Sequence, residues 1–329
     1  MTANFREHLH HVINELPSNY SQPSIMTDFP NYYISAAGYA ALMDWYARAL
    51  AGIRVPVETC RVPTRYGITH VIQSGPPDAP PVLLLHGINT SAMSWRPQIE
   101  GLAARFRVIA PDIVGFTGRS GSTRLVYRDD SYARWAVDVL DALDVPAAHV
   151  VGGSAGGHFA LKLAAWSPER VLRLALLNPC GLANYRFPYG LTRIHGIPSL
   201  LNWLNHRILA SATLARILVR KGVAPGLTLD ADWVEFSYLI LRHYRRHGPP
   251  GVLRADELRR IQSPTLLLVG EHEVFHHPRA IIQRAQRHLR AVTAEQVSAA
   301  GHDMHRDRAE WVNGRLTAFL RANERTPVY

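Results

Sequence analysis

Three observations predict an α/β protein built on a mostly parallel, eight-stranded sheet covered by helices on both faces. Strand-like apolar runs alternate with helical stretches along most of the chain. Runs such as Pro81-Val82-Leu83-Leu84-Leu85 and Thr265-Leu266-Leu267-Leu268-Val269 show no polar alternation, as expected of strands buried on both sides. One run, His149-Val150-Val151, leads through a turn of small residues holding a single serine into a helix that reaches about Trp166.

The strands are expected at 55–62, 68–73, 81–85, 107–110, 149–153, 171–178, 265–270 and, more weakly, 293–298. Helical spacing covers about 38–51, 94–104, 131–143, 155–166, 278–289 and 307–320. Between Gly181 and about Gln262 no strand-like run occurs, and helical patterns at about 198–210, 212–221 and 231–247 suggest a helical insertion. Near the start, Phe5, Leu9, Val12, Ile13 and Leu16 lie at helical spacing before Pro17. The expected organisation is a helical arm over 1–24, a core over 25–180 and 263–329, and a helical cap over 181–262.

Composition narrows the function. With 329 residues, 47% hydrophobic and 19% charged, the chain can bury a large core and has the balance of an ordinary globular enzyme. The net charge of +10 is carried almost wholly by arginine, since Lys162 and Lys221 are the only lysines. No basic run is long or interleaved with aromatics, so nucleic acid is not an expected partner. Two cysteines, Cys60 and Cys180, are too few for a disulfide scaffold. No window of eighteen uninterrupted apolar residues and no basic–apolar leader is visible, so a cytoplasmic protein without a membrane span is expected.

The serine turn carries the chemistry. Gly152-Gly153-Ser154-Ala155-Gly156 has the G-x-S-x-G pattern of a nucleophile elbow, in which a serine hydroxyl is thrust out of a sharp strand-to-helix turn. The backbone there is strained, and the positions two before and two after the serine crowd their neighbours, which favours glycine. The helix behind it aims free N–H groups at the site and favours a developing oxyanion.

Other motifs follow in order: His86-Gly87 after the third strand, Asp112 after the fourth, an acidic residue after Val269-Gly270, and Ala300-Gly301-His302 before the final helix. Together with the elbow they resemble the α/β-hydrolase superfamily over about residues 55–323, with 181–262 standing where that superfamily carries its cap. The order serine, acid, histidine is the superfamily's own. The resemblance implies Ser154 as nucleophile, His302 as general base and Glu273 as the acid that orients His302, with backbone N–H groups of Ile88 and Ala155 forming the oxyanion hole. His86 would brace its turn, and Asp112 would stabilise another.

Glu273 stands where the superfamily usually has aspartate, three residues beyond the glycine, and Glu271 and Asp303 compete with it. Asp303 is adjacent in sequence to His302 and reaches its far ring nitrogen poorly, while Glu271 is expected to turn away from Glu273 if the alternation of the strand persists.

The same stretch contains a decoy. His272-Glu273-Val274-Phe275-His276 spells H-E-x-x-H, a zinc-protease signature that works only on a helix. Here it follows a strand and Gly270 and runs into Pro278, so no metal is expected. The expected activity is hydrolysis of a carboxylic ester or lactone of an apolar small molecule through an acyl-serine, without a cofactor. Acyl transfer, thioester or carbon–carbon hydrolysis on the same triad, or ligand binding without catalysis, are the alternatives. Selectivity is expected from the cap, where Trp203, Leu204, Trp233, Phe236 and Leu241 could line a pocket.

Overall fold

The apolar runs pair into one eight-stranded sheet in the order β1-β2-β4-β3-β5-β6-β7-β8. The strands are β1 (Val57–Thr64), β2 (Gly67–Ser74), β3 (Pro81–Leu85), β4 (Arg107–Pro111), β5 (Ala148–Gly153), β6 (Val171–Leu177), β7 (Thr265–Gly270) and β8 (Val292–Val297). The structure, a computed structural model, describes residues 30–186 and 211–322. β1 and β2 form an antiparallel hairpin, β2 meets β4 antiparallel, and every pair from β4 to β8 is parallel.

The alternation of side chains along the strands sorts the core into two layers. On β3, Leu83 and Leu85 join one apolar cluster while Val82 and Leu84 join the other. β7 divides the same way, with Leu267 and Val269 opposite Leu266 and Leu268. One layer is filled by α3 (Ser131–Asp141), α4 (Ala155–Trp166) and α8 (Pro278–His288). The other is filled by α1 (Ala36–Ala51), α2 (Arg96–Leu102) and α10 (Ala309–Leu320). This is why the strands read as unbroken apolar runs: both faces are covered.

Between β6 and β7 lie α5 (Ala212–Gly222), α6 (Ala231–His243) and α7 (Ala255–Arg259). Ser211 caps α5 by accepting the Leu214 N–H, and Asp230 caps α6 by accepting those of Asp232 and Trp233. α6 stops at His243, four residues before the expected end. There the chain turns extended at Tyr244, which bridges to Tyr33 while Arg245 N–H donates to Tyr32 O. The last expected helix, 307–320, begins two residues later as α10, and a separate short helix, α9 (Met304–Asp307), precedes it across the non-helical Arg308. The arm over 5–16 and the helical pattern at 198–210 lie outside the described residues.

α7 was not anticipated, and it packs on the main core rather than away from it. Leu258 and Ile261 are fully buried in the same layer as α4. Lys162 on α4, itself buried, reaches Glu257 on α7 at 2.5 Å and donates to Arg128 O at 3.1 Å. Removing one partner of a buried pair strands the other charge. Lys162→Met is therefore expected to destabilise the protein by about 3–5 kcal/mol in denaturant unfolding, whereas a loss under about 1 kcal/mol, the range of exposed ion pairs, would mean that the pair is solvated.

Candidate active site

The elbow passes from strand to helix through a single residue. β5 ends at Gly153, α4 begins at Ala155, and Ser154 between them has φ 53° and ψ −120°. A non-glycine residue in such a sparsely populated region costs on the order of 1–3 kcal/mol and persists only where its surroundings fix it. Here Ser154 N–H donates to Leu177 O at 3.0 Å, and its carbonyl accepts from Gly157 at 3.0 Å and Cys180 at 2.8 Å. A Cβ at Gly156 would fall 1.8 Å from Leu85 O, so α4 can lie this close to β3 only without a side chain there. Ala155, as the first helical residue, has an N–H with no acceptor inside its helix.

His302 and Glu273 converge on this serine from two other loops. His302 Nε2 lies 3.0 Å from Ser154 Oγ, and His302 Nδ1 lies 2.5 Å from Glu273 Oε2. The carboxylate has no proton to give, so Nδ1–H donates to it, leaving the Nε2 lone pair to accept the Ser154 hydroxyl. Burial of the His302 ring disfavours its charged form. The Glu273 carboxylate, hydrogen-bonded to it, and the nearby Asp303 and Asp307 outweigh that effect and raise its pKa above the ordinary imidazole value. For Glu273 burial favours the neutral acid. The neighbouring His302, the His276 ring and the Phe275 N–H outweigh it and hold the carboxyl well below the usual carboxylate range.

The two competing acids stand elsewhere. Glu271 is half exposed and accepts the Ala299 N–H at 3.0 Å. Asp303 accepts the indole N–H of Trp233 at 3.4 Å. The H-E-x-x-H stretch is not helical: it forms the turn and irregular chain between β7 and α8. His272 faces solvent and His276 is buried, so the two imidazoles do not share a face.

The loop after β3 borders the serine, since a Cβ on Gly87 would lie 3.5 Å from Ser154 Cβ. Ile88 follows in that loop. His86 Nε2 accepts the Ile113 N–H at 2.9 Å and its Nδ1 lies 2.9 Å from Gly87 O, so the ring ties two loops together. Burial pushes its pKa down to about 4, which keeps it neutral. Asp112 accepts the N–H groups of Ala92 and Arg119, both at 2.9 Å, and lies 3.1 Å from His70 Nδ1. Both residues act as braces of backbone.

Three of the side chains singled out from the sequence as possible pocket lining are engaged in packing. Phe236 lies on Trp45 of α1, with ring centroids 4.4 Å apart, and on Trp233 at 5.0 Å. Leu241 packs with Ala215 between α5 and α6. Trp203 and Leu204 lie outside the described residues.

Several residues at the site were not singled out from the sequence. Asn178, at the end of β6, donates through Nδ2 to Gly301 O and His302 O, both at 2.9 Å, and accepts the Gly270 N–H at 2.8 Å. It joins the strand leading to Glu273 with the loop carrying His302. The one signal in the sequence is a polar residue closing an apolar run before Pro179. Cys180 Sγ sits 3.9 Å from Ser154 Oγ, and burial pushes its thiol pKa up to about 11. Asn89 grips the His247 backbone at both its N–H and its carbonyl, at 2.7 and 3.2 Å, fastening the loop of Ile88 to the chain after α6.

Known proteins share this arrangement of chain. The alpha/beta hydrolase fold family matches residues 80–216. An uncharacterized carboxylesterase, Nap, of Bacillus subtilis strain 168 is 32% identical over 289 residues, covering 84% of this chain and 91% of its own. Carboxylesterase YbfK of the same organism is 32% identical over 281 residues, covering 84% and 92%. The crystal structure of carboxylesterase CesB (YbfK) from Bacillus subtilis superposes with a TM-score of 0.75 at 28% identity, covering 87% of this chain and 99% of that one. The chain belongs to the α/β-hydrolase fold family.

Proposed function

We propose that this protein is a serine hydrolase that cleaves a carboxylic ester or lactone of an apolar small molecule through an acyl-serine intermediate. The observation that carries the reading is the unbroken hydrogen-bonded line from Ser154 Oγ through His302 to Glu273, at 3.0 and 2.5 Å. The two Bacillus relatives named as carboxylesterases, similar over most of their length, support the choice of ester as substrate.

In this reading His302 Nε2 takes the Ser154 proton as Oγ attacks the ester carbonyl. The resulting oxyanion is received by the N–H groups of Ala155 and Ile88, each worth about a hundred- to a thousandfold in rate. His302 then passes its proton to the departing alcohol. Water, deprotonated by the same imidazole, attacks the acyl-serine; the bond from the acyl carbon to Oγ breaks, the carboxylic acid leaves, and His302 returns the proton to Ser154 Oγ. No proton or electron is left over and no cofactor is required. Selectivity in this reading comes from the segment inserted between β6 and β7. The Phe275 ring, in a T-shaped contact with His302 at a centroid distance of 4.5 Å, and the half-buried Ile88 favour an apolar acyl group.

Nitrophenyl esters of increasing acyl length test this reading. Wild-type kcat/KM is expected to rise severalfold from two to about six carbons, since each buried methylene contributes about 0.8 kcal/mol until the pocket is full. Ser154→Ala and His302→Ala should each lower kcat at least about a thousandfold, and Glu273→Gln at least about a hundredfold, with the fold kept. Near-wild-type turnover by folded Ser154→Ala would sink the reading. A greater loss in Glu271→Gln than in Glu273→Gln would overturn the assignment of the acid.

The pH profile follows from the sign of the His302 shift. The imidazole must be neutral to accept the serine proton, and its pKa is raised. Activity should therefore fall as pH drops, with the midpoint of kcat/KM above about 6.5, the ordinary imidazole value. A midpoint well below that value would mean that the carboxylates around His302 do not act on it.

A further inference from the structure

His276 is fully buried, yet neither ring nitrogen has a hydrogen-bond partner among the described residues. Buried polar groups left without partners are exceptions that call for a reason. Tyr185, in the first stretch of chain beyond β6, fixes one side of the ring. The two backbones form an isolated bridge and the rings meet at 4.4 Å. The Tyr185 hydroxyl is itself held, 3.0 Å from Cys180 Sγ and 3.3 Å from Pro250 O. The charge that faces His276 is Glu273, whose Oε1 lies 3.8 Å from Nδ1.

The two oxygens of Glu273 have different tasks. Oε2 receives His302 Nδ1–H. Oε1 accepts the backbone N–H groups of Phe275 at 2.6 Å and His276 at 3.2 Å. A glutamate has one more rotatable bond than the aspartate usual at this position, so its carboxylate needs more to hold it in one orientation. We propose that His276, braced by Tyr185, is a positioning residue for Glu273: its ring dipole holds Oε1 so that Oε2 stays on His302. The distance is longer than a hydrogen bond, but the dipole acts in a dry, low-dielectric site where little screens it. The low pKa of Glu273, to which the His276 ring contributes behind the larger effects of burial and His302, agrees with this placement. The second histidine of the apparent zinc motif thus serves the acid that precedes it by three residues.

The proposal rests on the triad reading, and a double-mutant cycle separates the two. Ester hydrolysis is measured for wild type, His276→Met, His276→Asn, Glu273→Gln and the His276→Met/Glu273→Gln pair, with thermal melts to verify folding. His276→Met should lower kcat about tenfold or more with KM within about twofold, because orientation of the general base is lost and substrate binding is not. His276→Asn, whose amide N–H can stand near the position of Nδ1, should restore kcat to within about threefold of wild type. In the Glu273→Gln background the added His276→Met change should cost less than about twofold, since the charge it positions is gone. An equal loss in both backgrounds, or no loss in wild type, would overturn the proposal while the triad stands. A harmless Glu273→Gln would overturn both. Should His276→Met fail to fold, His276→Phe takes its place in the cycle with the same expectations.

Discussion

The backbone of Ser154 is held where a serine does not rest by itself, and the geometry of the site follows from that constraint. Its N–H is bound by the end of β6, at Leu177, and its carbonyl by Gly157 and Cys180. The absence of a side chain at Gly156 lets α4 come within contact of β3, and its absence at Gly152 lets the first turn of α4 fold back against the end of β5. The strain is offset by the parallel strands themselves, whose register places Leu85 opposite Gly152 and Gly153 opposite Leu177. A serine hydroxyl at the carboxyl edge of the sheet, with a helix N-terminus behind it, is the consequence.

The remaining groups are brought to that hydroxyl by polar links across loops. Asn178 connects Gly270, at the end of the strand before Glu273, with the carbonyls of Gly301 and His302. The His302 loop rests in turn on the chain between α5 and α6. Asp303 N–H donates to Gly222 O at 3.0 Å, Ala224 N–H to Asp307 Oδ2 at 3.2 Å, and Arg306 pairs with Asp230. A Cβ on Gly301 would lie 2.3 Å from Gly222 O, so the two segments touch backbone to backbone. The position of the imidazole depends on how the insertion sits, and a change in that seat would reach the site directly.

The sheet and its serine were legible because their signals are local. Apolar runs without alternation mark strands covered on both faces, and the small residues around Ser154 answer a steric need within one turn. By the resemblance, the position three beyond Gly270 pointed to Glu273, but alternation does not separate Glu271 from it, since residues two apart share a face and β7 ends at Gly270; the turn beyond the strand is what leaves Glu271 half exposed. What stayed hidden is non-local. Asn178 looks like an ordinary strand end until β7 and the His302 loop are placed beside it, and Asn89 has meaning only against His247. α7 was missed because five residues are too few to show helical periodicity, although Leu258 and Ile261 bind it to the core. Trp233 and Phe236 could be read as pocket lining or as packing, and Trp45 of α1, far away in sequence, draws Phe236, with Trp233 stacked on it, into packing.

The central claim is that His302 and Glu273 make Ser154 a nucleophile far stronger than a free serine. Labelling with a fluorophosphonate, followed by peptide mass analysis, measures this without knowledge of the natural substrate. Rapid, stoichiometric modification of Ser154 is expected, slowed at least about a hundredfold in Glu273→Gln and abolished in His302→Ala. Labelling at another residue, or at Ser154 with the same rate in all three proteins, would contradict it.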